Sequence, residues 1–104
     1  MKKDVLTLEE IRSELREICK DSSVRRIWIF GSYARNEADS ESDLDLLVDL
    51  ENALDIERFD SIRDAKIDLM SLSLFNRKMQ SDLRFNKSFV ERILNERVLV
   101  YEKI

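Results

Sequence analysis

The chain has 104 residues, enough for one modest hydrophobic core, so we expect a single domain over residues 1–104. Hydrophobic residues make up 43% and charged residues 38% of the chain, which is typical of a globular protein and excludes a disordered one. A net charge of −4 argues against stable binding to nucleic acid, and the apolar runs are too short to span a membrane.

The clearest helical pattern runs over Leu8–Cys19, where apolar residues recur at intervals of three and four. The segment "TLEE" just before it predicts a capping box, in which the side chains of Thr7 and Glu10 bind each other's backbone N–H groups. Cys19 lies on the apolar stripe of this helix, so we interpret it as a core residue and not as a reactive thiol.

Strands and helices alternate after this helix. β-branched and aromatic residues predict a first strand over Val24–Phe30, and the alternation in "SDLDLLVDL" predicts a second over residues 42–50. The later predicted elements are a short helix over residues 52–65, a strand over 66–72, helices over 76–83 and 88–96, and a strand over 97–102. This order predicts an α/β or α+β fold, in which a small mixed sheet has helices on one or both faces.

Cysteine and histidine usage narrows the possible chemistry. The single cysteine excludes an internal disulfide, and no apolar segment follows the N-terminal lysines, so we expect a cytoplasmic protein without a secretory signal. The absence of histidine excludes a histidine general base, a Ser-His triad and a zinc site built on imidazole. If the chain is an enzyme, its carboxylates must carry the chemistry.

Gly31 is the only glycine, and with Ser32 it stands between the first predicted strand and a predicted helical turn, "SYARNE". A glycine permits a tight turn and a close approach of a ligand to the backbone. The N–H groups at the start of such a turn point outward and can bind an anion. Taken alone, a Gly-Ser pair after a strand is most simply a plain turn.

Asp43 and Asp45 stand two residues apart in the second predicted strand, so their side chains project from the same face. Adjacent buried carboxylates repel each other unless a cation lies between them, and magnesium favours carboxylate and phosphate oxygens. Pairing of the next strand would add Asp68 to this cluster. Each aspartate alone is most simply a surface carboxylate, as we interpret Asp39 and Asp49, but three beside a Gly-Ser turn predict a two-metal site for phosphoryl transfer.

The segment "GSYARNEADSESDLDLLV" resembles the signature of the polymerase-β-like nucleotidyltransferase superfamily, a Gly-Ser pair followed by a ten-residue spacer and Asp-x-Asp. The spacer here is "YARNEADSES", which has the required ten residues. The chain length and the closing "ILNERVLVYE" are similar to those of the minimal nucleotidyltransferase (MNT) domains. The resemblance covers nearly the whole chain and implies the polymerase-β-like nucleotidyltransferase fold.

The resemblance also implies a role for each residue of the motif. Gly31 and Ser32 would hold the triphosphate of ATP, the substrate. Asp43 and Asp45 would bind magnesium, with two Mg²⁺ ions expected. Asp68, at the third acidic position of the family, would complete the metal site and help to deprotonate the attacking hydroxyl.

Two further residues of the loop, Arg35 and Asn36, correspond to recurrent positions of the family. Arg35 matches a recurrent basic position and would support either the phosphates or the loop. Asn36 stands where the family commonly has glycine. Because asparagine tolerates left-handed backbone angles better than most residues, we expect the loop to keep its path with slightly altered geometry.

MNT domains of this kind are typically antitoxins encoded beside small helical HEPN-domain RNases, and they transfer AMP to a tyrosine hydroxyl of the toxin. The resemblance therefore implies a protein adenylyltransferase that uses ATP and magnesium and has a HEPN-type toxin as its partner. We expect no second domain that would grip another kind of acceptor, which favours a folded protein as the acceptor. Two alternatives stay open: an antitoxin that acts by binding alone, and a small-molecule nucleotidyltransferase of the aminoglycoside-modifying kind.

Overall fold

The structure, a computed structural model, describes residues 5–52, 55, 57–59, 66–72 and 87–103. Its elements are α1 (Leu8–Cys19), β1 (Val24–Phe30), β2 (Asp43–Leu50), β3 (Lys66–Ser71), α2 (Lys87–Glu96) and β4 (Val98–Glu102). Of the helix predicted over residues 52–65, residues 55 and 57–59 have 3₁₀-helical geometry. The helix predicted over 76–83 lies outside the described residues. No helix in the described ranges has the length and apolar character that a membrane crossing requires.

The four strands form one mixed sheet in the order β3-β2-β1-β4. Strand β1 is antiparallel to both β2 and β4, whereas β2 and β3 are parallel. This arrangement confirms the prediction of a small mixed sheet. Because β2 and β3 run in the same direction, the aspartates near their starts meet at the same end of the sheet.

Helix α1 covers one face of the sheet. Its N-terminus has the predicted capping box, with both hydrogen bonds between Thr7 and Glu10 at 3.1 Å. Its buried stripe ends at Cys19, which is 0% exposed and packs in the same core as the inward residues of β1 and β2. Burial raises the pKa of the Cys19 thiol to about 11, so the thiol stays protonated. Cys19 is confirmed as a core residue.

Helix α2 covers the opposite face, so the sheet has helices on both sides. Val90 and Ile93 of α2 form a second core cluster with Phe30 of β1 and Leu47 of β2. Side chains two residues apart in a strand project from the same face. Asp45 therefore shares its face with Leu47 and lies on the side of the sheet that α2 covers.

Candidate active site

A cleft of about 350 Å³ lies between the ends of the central strands and the C-terminal part of α2. Five of the six predicted site residues line it: Gly31, Ser32, Arg35, Asp45 and Asp68. Residues of α2 form part of the opposite wall. The sixth predicted residue, Asp43 at the first position of β2, is exposed and does not line the cleft. The fold thus gathers residues that are far apart in the sequence into one place.

The three aspartates lie on the same face of the sheet, near the starts of β2 and β3. Asp45 is the direct partner of Asp68 in the parallel ladder, and Asp43 lies two residues before it on the same face. Burial, together with the negative charges of Asp68 and Asp43, raises the pKa of Asp45 to about 6. Only Asp45 is half-buried, whereas Asp43 and Asp68 are exposed, so the expectation that the adjacent carboxylates of β2 are both buried is wrong for Asp43.

This charge distribution fits a cation that is held jointly by the protein and a nucleotide. Among the described residues, no three acidic, cysteine or histidine side chains are close enough to form a metal site by themselves. Magnesium usually keeps several waters and binds to one or two carboxylates together with substrate phosphates, so it does not need a closed cage. The repulsion around Asp45 is the kind that such a cation relieves.

Asp45→Asn is expected to raise the free energy of unfolding at pH 7.5 in the absence of divalent cations. The folded-state pKa of Asp45, about 6, lies above its usual value of 3.8, so the ionised form destabilises the fold. This destabilisation is absent below the usual pKa, grows as the pH rises towards 6, and is complete above it. Urea unfolding at pH 7.5 and pH 3.5 checks it, with Asp49→Asn on the same strand as control. An equal gain in the free energy of unfolding at both pH values would show that the ionisation of Asp45 is not its cause.

Position 31 requires a glycine because of its backbone angle and because the side chain of Asp45 lies close to it. Its φ is +73°, in the left-handed region, and an added Cβ would overlap Oδ2 of Asp45 and come within 3.2 Å of Asp45 Cγ. The sequence suggested that the glycine makes room for phosphates. In the structure the group that approaches its Cα is the carboxylate of Asp45, so the glycine sets the position of that aspartate.

Two backbone hydrogen bonds stabilise the end of the turn that follows Gly31. Glu37 N–H donates to the Ser32 carbonyl at 2.9 Å, and Asn36 N–H donates to the Tyr33 carbonyl at 3.3 Å, which is a Schellman arrangement. Asn36 has φ +58°, which confirms that asparagine adopts the left-handed conformation at this position. The N–H groups of Ser32, Tyr33 and Ala34 donate to no acceptor in the described part of the chain, so they are available to an anion.

Gly31→Ala is expected to weaken magnesium-dependent nucleotide binding, because the new Cβ forces the carboxylate of Asp45 to move. It should also cost about 1 kcal/mol of stability for placing alanine in a left-handed conformation. Asn36→Ala is the matched control, since it also places alanine in a left-handed conformation, at a smaller backbone cost, without touching Asp45. Urea unfolding and titration with a nonhydrolysable ATP analogue check both effects. Equal loss of affinity in the two variants would show that Asp45 is not involved.

Arg35 and Glu96 link the turn to the end of α2. Nη1 of Arg35 lies 3.1 Å from both carboxylate oxygens of Glu96, and its Nε donates to Glu37 at 3.0 Å. Of the two roles expected for Arg35, support of the loop is visible in these contacts, and contact with phosphates stays a prediction. Glu96 was not among the site residues predicted from the sequence. A signal was present, because an acidic residue in the last turn of a helix opposes the helix dipole and implies a partner elsewhere.

This fold and this group of residues define a nucleotidyltransferase, and the chain belongs to the family described as "Polymerase beta, Nucleotidyltransferase", whose model matches residues 13–104. Among its relatives is the protein adenylyltransferase MntA of Thermococcus cleftensis. The two sequences are 36% identical over 100 residues, which cover 92% of this chain and 98% of the relative.

Two solved structures are similar to this one in fold. A toxin–antitoxin crystal structure with AMP-PNP matches with a TM-score of 0.58 and 17% identity, over 94% of this chain and 75% of the other. A mutant of the MntA–HpeT toxin–antitoxin matches with a TM-score of 0.57 and 15% identity, again over 94% and 75%. At these identities the likeness concerns the fold alone, and with the family match it confirms the predicted nucleotidyltransferase fold.

Proposed function

We propose that this chain is a magnesium-dependent protein adenylyltransferase that transfers AMP from ATP to a hydroxyl group of a partner toxin and thereby acts as its antitoxin. The observation that carries the proposal is the pairing of Asp45 with Asp68 in the β2–β3 ladder, beside the Gly31-Ser32 turn in one cleft. The relationship to MntA of Thermococcus cleftensis, named as a protein adenylyltransferase, supports the choice of a protein acceptor.

Each residue of the cleft then has a distinct task. Asp43 and Asp45 hold the magnesium ions, with Asp68 completing the set, and bound magnesium would neutralise phosphate charge and acidify the attacking hydroxyl. The hydroxyl of Ser32 and the N–H groups that follow Gly31 bind the phosphate oxygens. These interactions orient the triphosphate so that its α-phosphorus faces the acceptor.

The reaction forms one bond and breaks one. The acceptor oxygen attacks the α-phosphorus of ATP, the bond from that phosphorus to the bridging oxygen breaks, and pyrophosphate leaves. The proton of the acceptor hydroxyl passes to the carboxylate of Asp68, which is exposed and therefore within reach of a large acceptor. The protein needs no covalent intermediate, since positioning and charge stabilisation are sufficient for this chemistry.

The size of the cleft supports a protein acceptor. A volume of about 350 Å³ is at the lower end of the range for small-molecule sites, so we expect a bound nucleotide to occupy most of it. An acceptor must then approach from outside and bring its own docking surface. We propose a tyrosine hydroxyl of a HEPN-type RNase toxin as that acceptor, in line with the resemblance to MNT domains.

Intact-mass analysis of the proposed toxin, the protein encoded by the neighbouring gene, tests the proposal after incubation with ATP and magnesium. Addition of one or more adenylyl groups by the wild-type chain, and none by Asp45→Asn, is the expected result. An unmodified toxin in a tight complex would instead favour neutralisation by binding alone. An unmodified and unbound toxin, together with adenylylation of an aminoglycoside, would favour the small-molecule alternative.

A further inference from the structure

Glu96 links the last turn of α2 to the Gly31-Ser32 turn. Its Oε1 accepts a hydrogen bond from the Gly31 N–H at 2.8 Å, and both of its oxygens lie 3.1 Å from Nη1 of Arg35. The side chain of Glu96 is only 15% exposed and that of Arg35 is 33% exposed. The pair is therefore better shielded from water than a typical surface ion pair, and its hydrogen bonds are charge-assisted.

The position of Glu96 is not explained by its own helix. A negative charge in the last turn of a helix interacts unfavourably with the helix dipole, so α2 by itself would favour a neutral or basic residue there. Within α2 the carboxylate has Arg92 one turn earlier, but at 3.9 Å this is no hydrogen bond. The close contacts of Glu96 are with Gly31 and Arg35, both in the candidate active site.

Arg35 is held in an arrangement that leaves part of its guanidinium for a ligand. Its Nε is used by Glu37 and its Nη1 by Glu96. A guanidinium carries five N–H donors, and the two on Nη2 have no acceptor among the residues that the structure describes. Arg35 lines the same cleft as Ser32, Asp45 and Asp68, so the remaining donors are available to an anion in that cleft.

We propose that Glu96 is a positioning residue for the nucleotide, an inference that rests on the proposed function. By accepting from the Gly31 N–H it fixes the peptide at the start of the turn. By holding Nη1 of Arg35 it presents Nη2 to the triphosphate, where a charge-assisted hydrogen bond to a phosphate oxygen can form. Glu96 itself touches neither the nucleotide nor the acceptor.

If these contacts of Glu96 had a different role, removing its charge would have the opposite effect on nucleotide affinity. A carboxylate on the Gly31 N–H could occupy the place of a phosphate group and have to leave when ATP binds. Removing its charge would then strengthen nucleotide binding. If Glu96 positions the turn and Arg35, removing its charge weakens binding. The sign of the change in affinity separates the two roles.

Glu96→Gln keeps the size of the side chain and one carbonyl acceptor for Gly31, but it loses the charge that holds Arg35. We expect the dissociation constant of a nonhydrolysable ATP analogue with magnesium, and KM for ATP, to rise by about 10-fold. The kcat of transfer should change much less, because the aspartates are untouched. Glu102→Gln is the matched control, since that glutamate also pairs with an arginine, Arg26 at 2.7 Å, on a strand outside the cleft.

A double variant that combines Glu96→Gln with Arg35→Gln tests whether Glu96 acts through Arg35. If it does, adding Glu96→Gln to Arg35→Gln weakens binding little further, whereas independent effects would add. Unchanged or tighter nucleotide binding by Glu96→Gln overturns the proposal. If Glu96→Gln lowers the thermal midpoint well below that of Glu102→Gln, Arg35→Gln alone is decisive, and its unchanged affinity overturns the proposal. The titration needs no toxin, so failure of toxin adenylylation would be recognised separately.

Discussion

Asp43→Ala and Asp45→Ala are each expected to abolish AMP transfer while leaving the fold intact. Both carboxylates project from the face of β2 that bears the cleft, and the proposed function assigns magnesium to them. Loss of a preorganised charge-stabilising group should lower kcat by about 10³-fold or more. Single-turnover transfer of AMP to the toxin measures the loss, and circular dichroism with urea unfolding checks that the fold is preserved.

Asp49→Ala is the control for both variants, because it removes a carboxylate from the same strand near its far end. It should transfer AMP at nearly the wild-type rate. Asp45→Ala should also be at least as stable as the wild type at neutral pH, since the ionised Asp45 destabilises the fold there. Near-normal transfer by either Asp43→Ala or Asp45→Ala in magnesium would be incompatible with the proposed metal site.

Asp68→Asn should separate nucleotide binding from transfer. The variant keeps the size and shape of the side chain but cannot accept a proton from the acceptor hydroxyl. Transfer is expected to fall by roughly 10²–10⁴, the contribution of general-base catalysis. Binding of ATP with magnesium should persist, because Asp43, Asp45 and the Gly31-Ser32 turn remain. Single-turnover transfer measured against pH, beside an equilibrium titration of the nucleotide, gives both quantities.

Asp68→Glu is the conservative companion to this variant, and it should recover part of the transfer because it restores the carboxylate. The neighbouring Asp45 gives a second readout. Since Asp68 raises the pKa of Asp45, Asp68→Asn should lower that pKa and reduce the pH dependence of stability near pH 6. An Asp68→Asn enzyme that transfers AMP at the wild-type rate would reduce Asp68 to a carboxylate near a strand end, and the site would rest on two aspartates.

Local signals in the sequence were sufficient for most of the elements. The capping box and apolar spacing gave the bounds of α1, Leu8–Cys19, without error, and β-branched and aromatic residues gave those of β1, Val24–Phe30. The predicted starts or ends of the other described strands and of α2 differ from the observed ones by one residue. Helix and strand ends fray, so local signals in the sequence do not define the last residue of an element.

The relations between elements were harder to obtain from the sequence. Alternation placed Asp43 and Asp45 on one face of a strand, but the register that sets Asp68 opposite Asp45 depends on a parallel pairing between separate segments. The reason for Gly31 also required the fold, because the carboxylate beside its Cα comes from another strand. Glu96 was missed because its partners lie more than 60 residues earlier in the chain.

Transfer of label from ATP tests most directly that the cleft is a nucleotidyltransferase site. Purified chain and toxin are mixed with magnesium and with ATP labelled at either the α- or the γ-phosphate, and label bound covalently to the toxin is counted. The account predicts that only α-label reaches the toxin, that γ-label is released as pyrophosphate, and that Asp45→Asn abolishes both. Transfer of γ-label, or of α-label by Asp45→Asn at the wild-type rate, would contradict it.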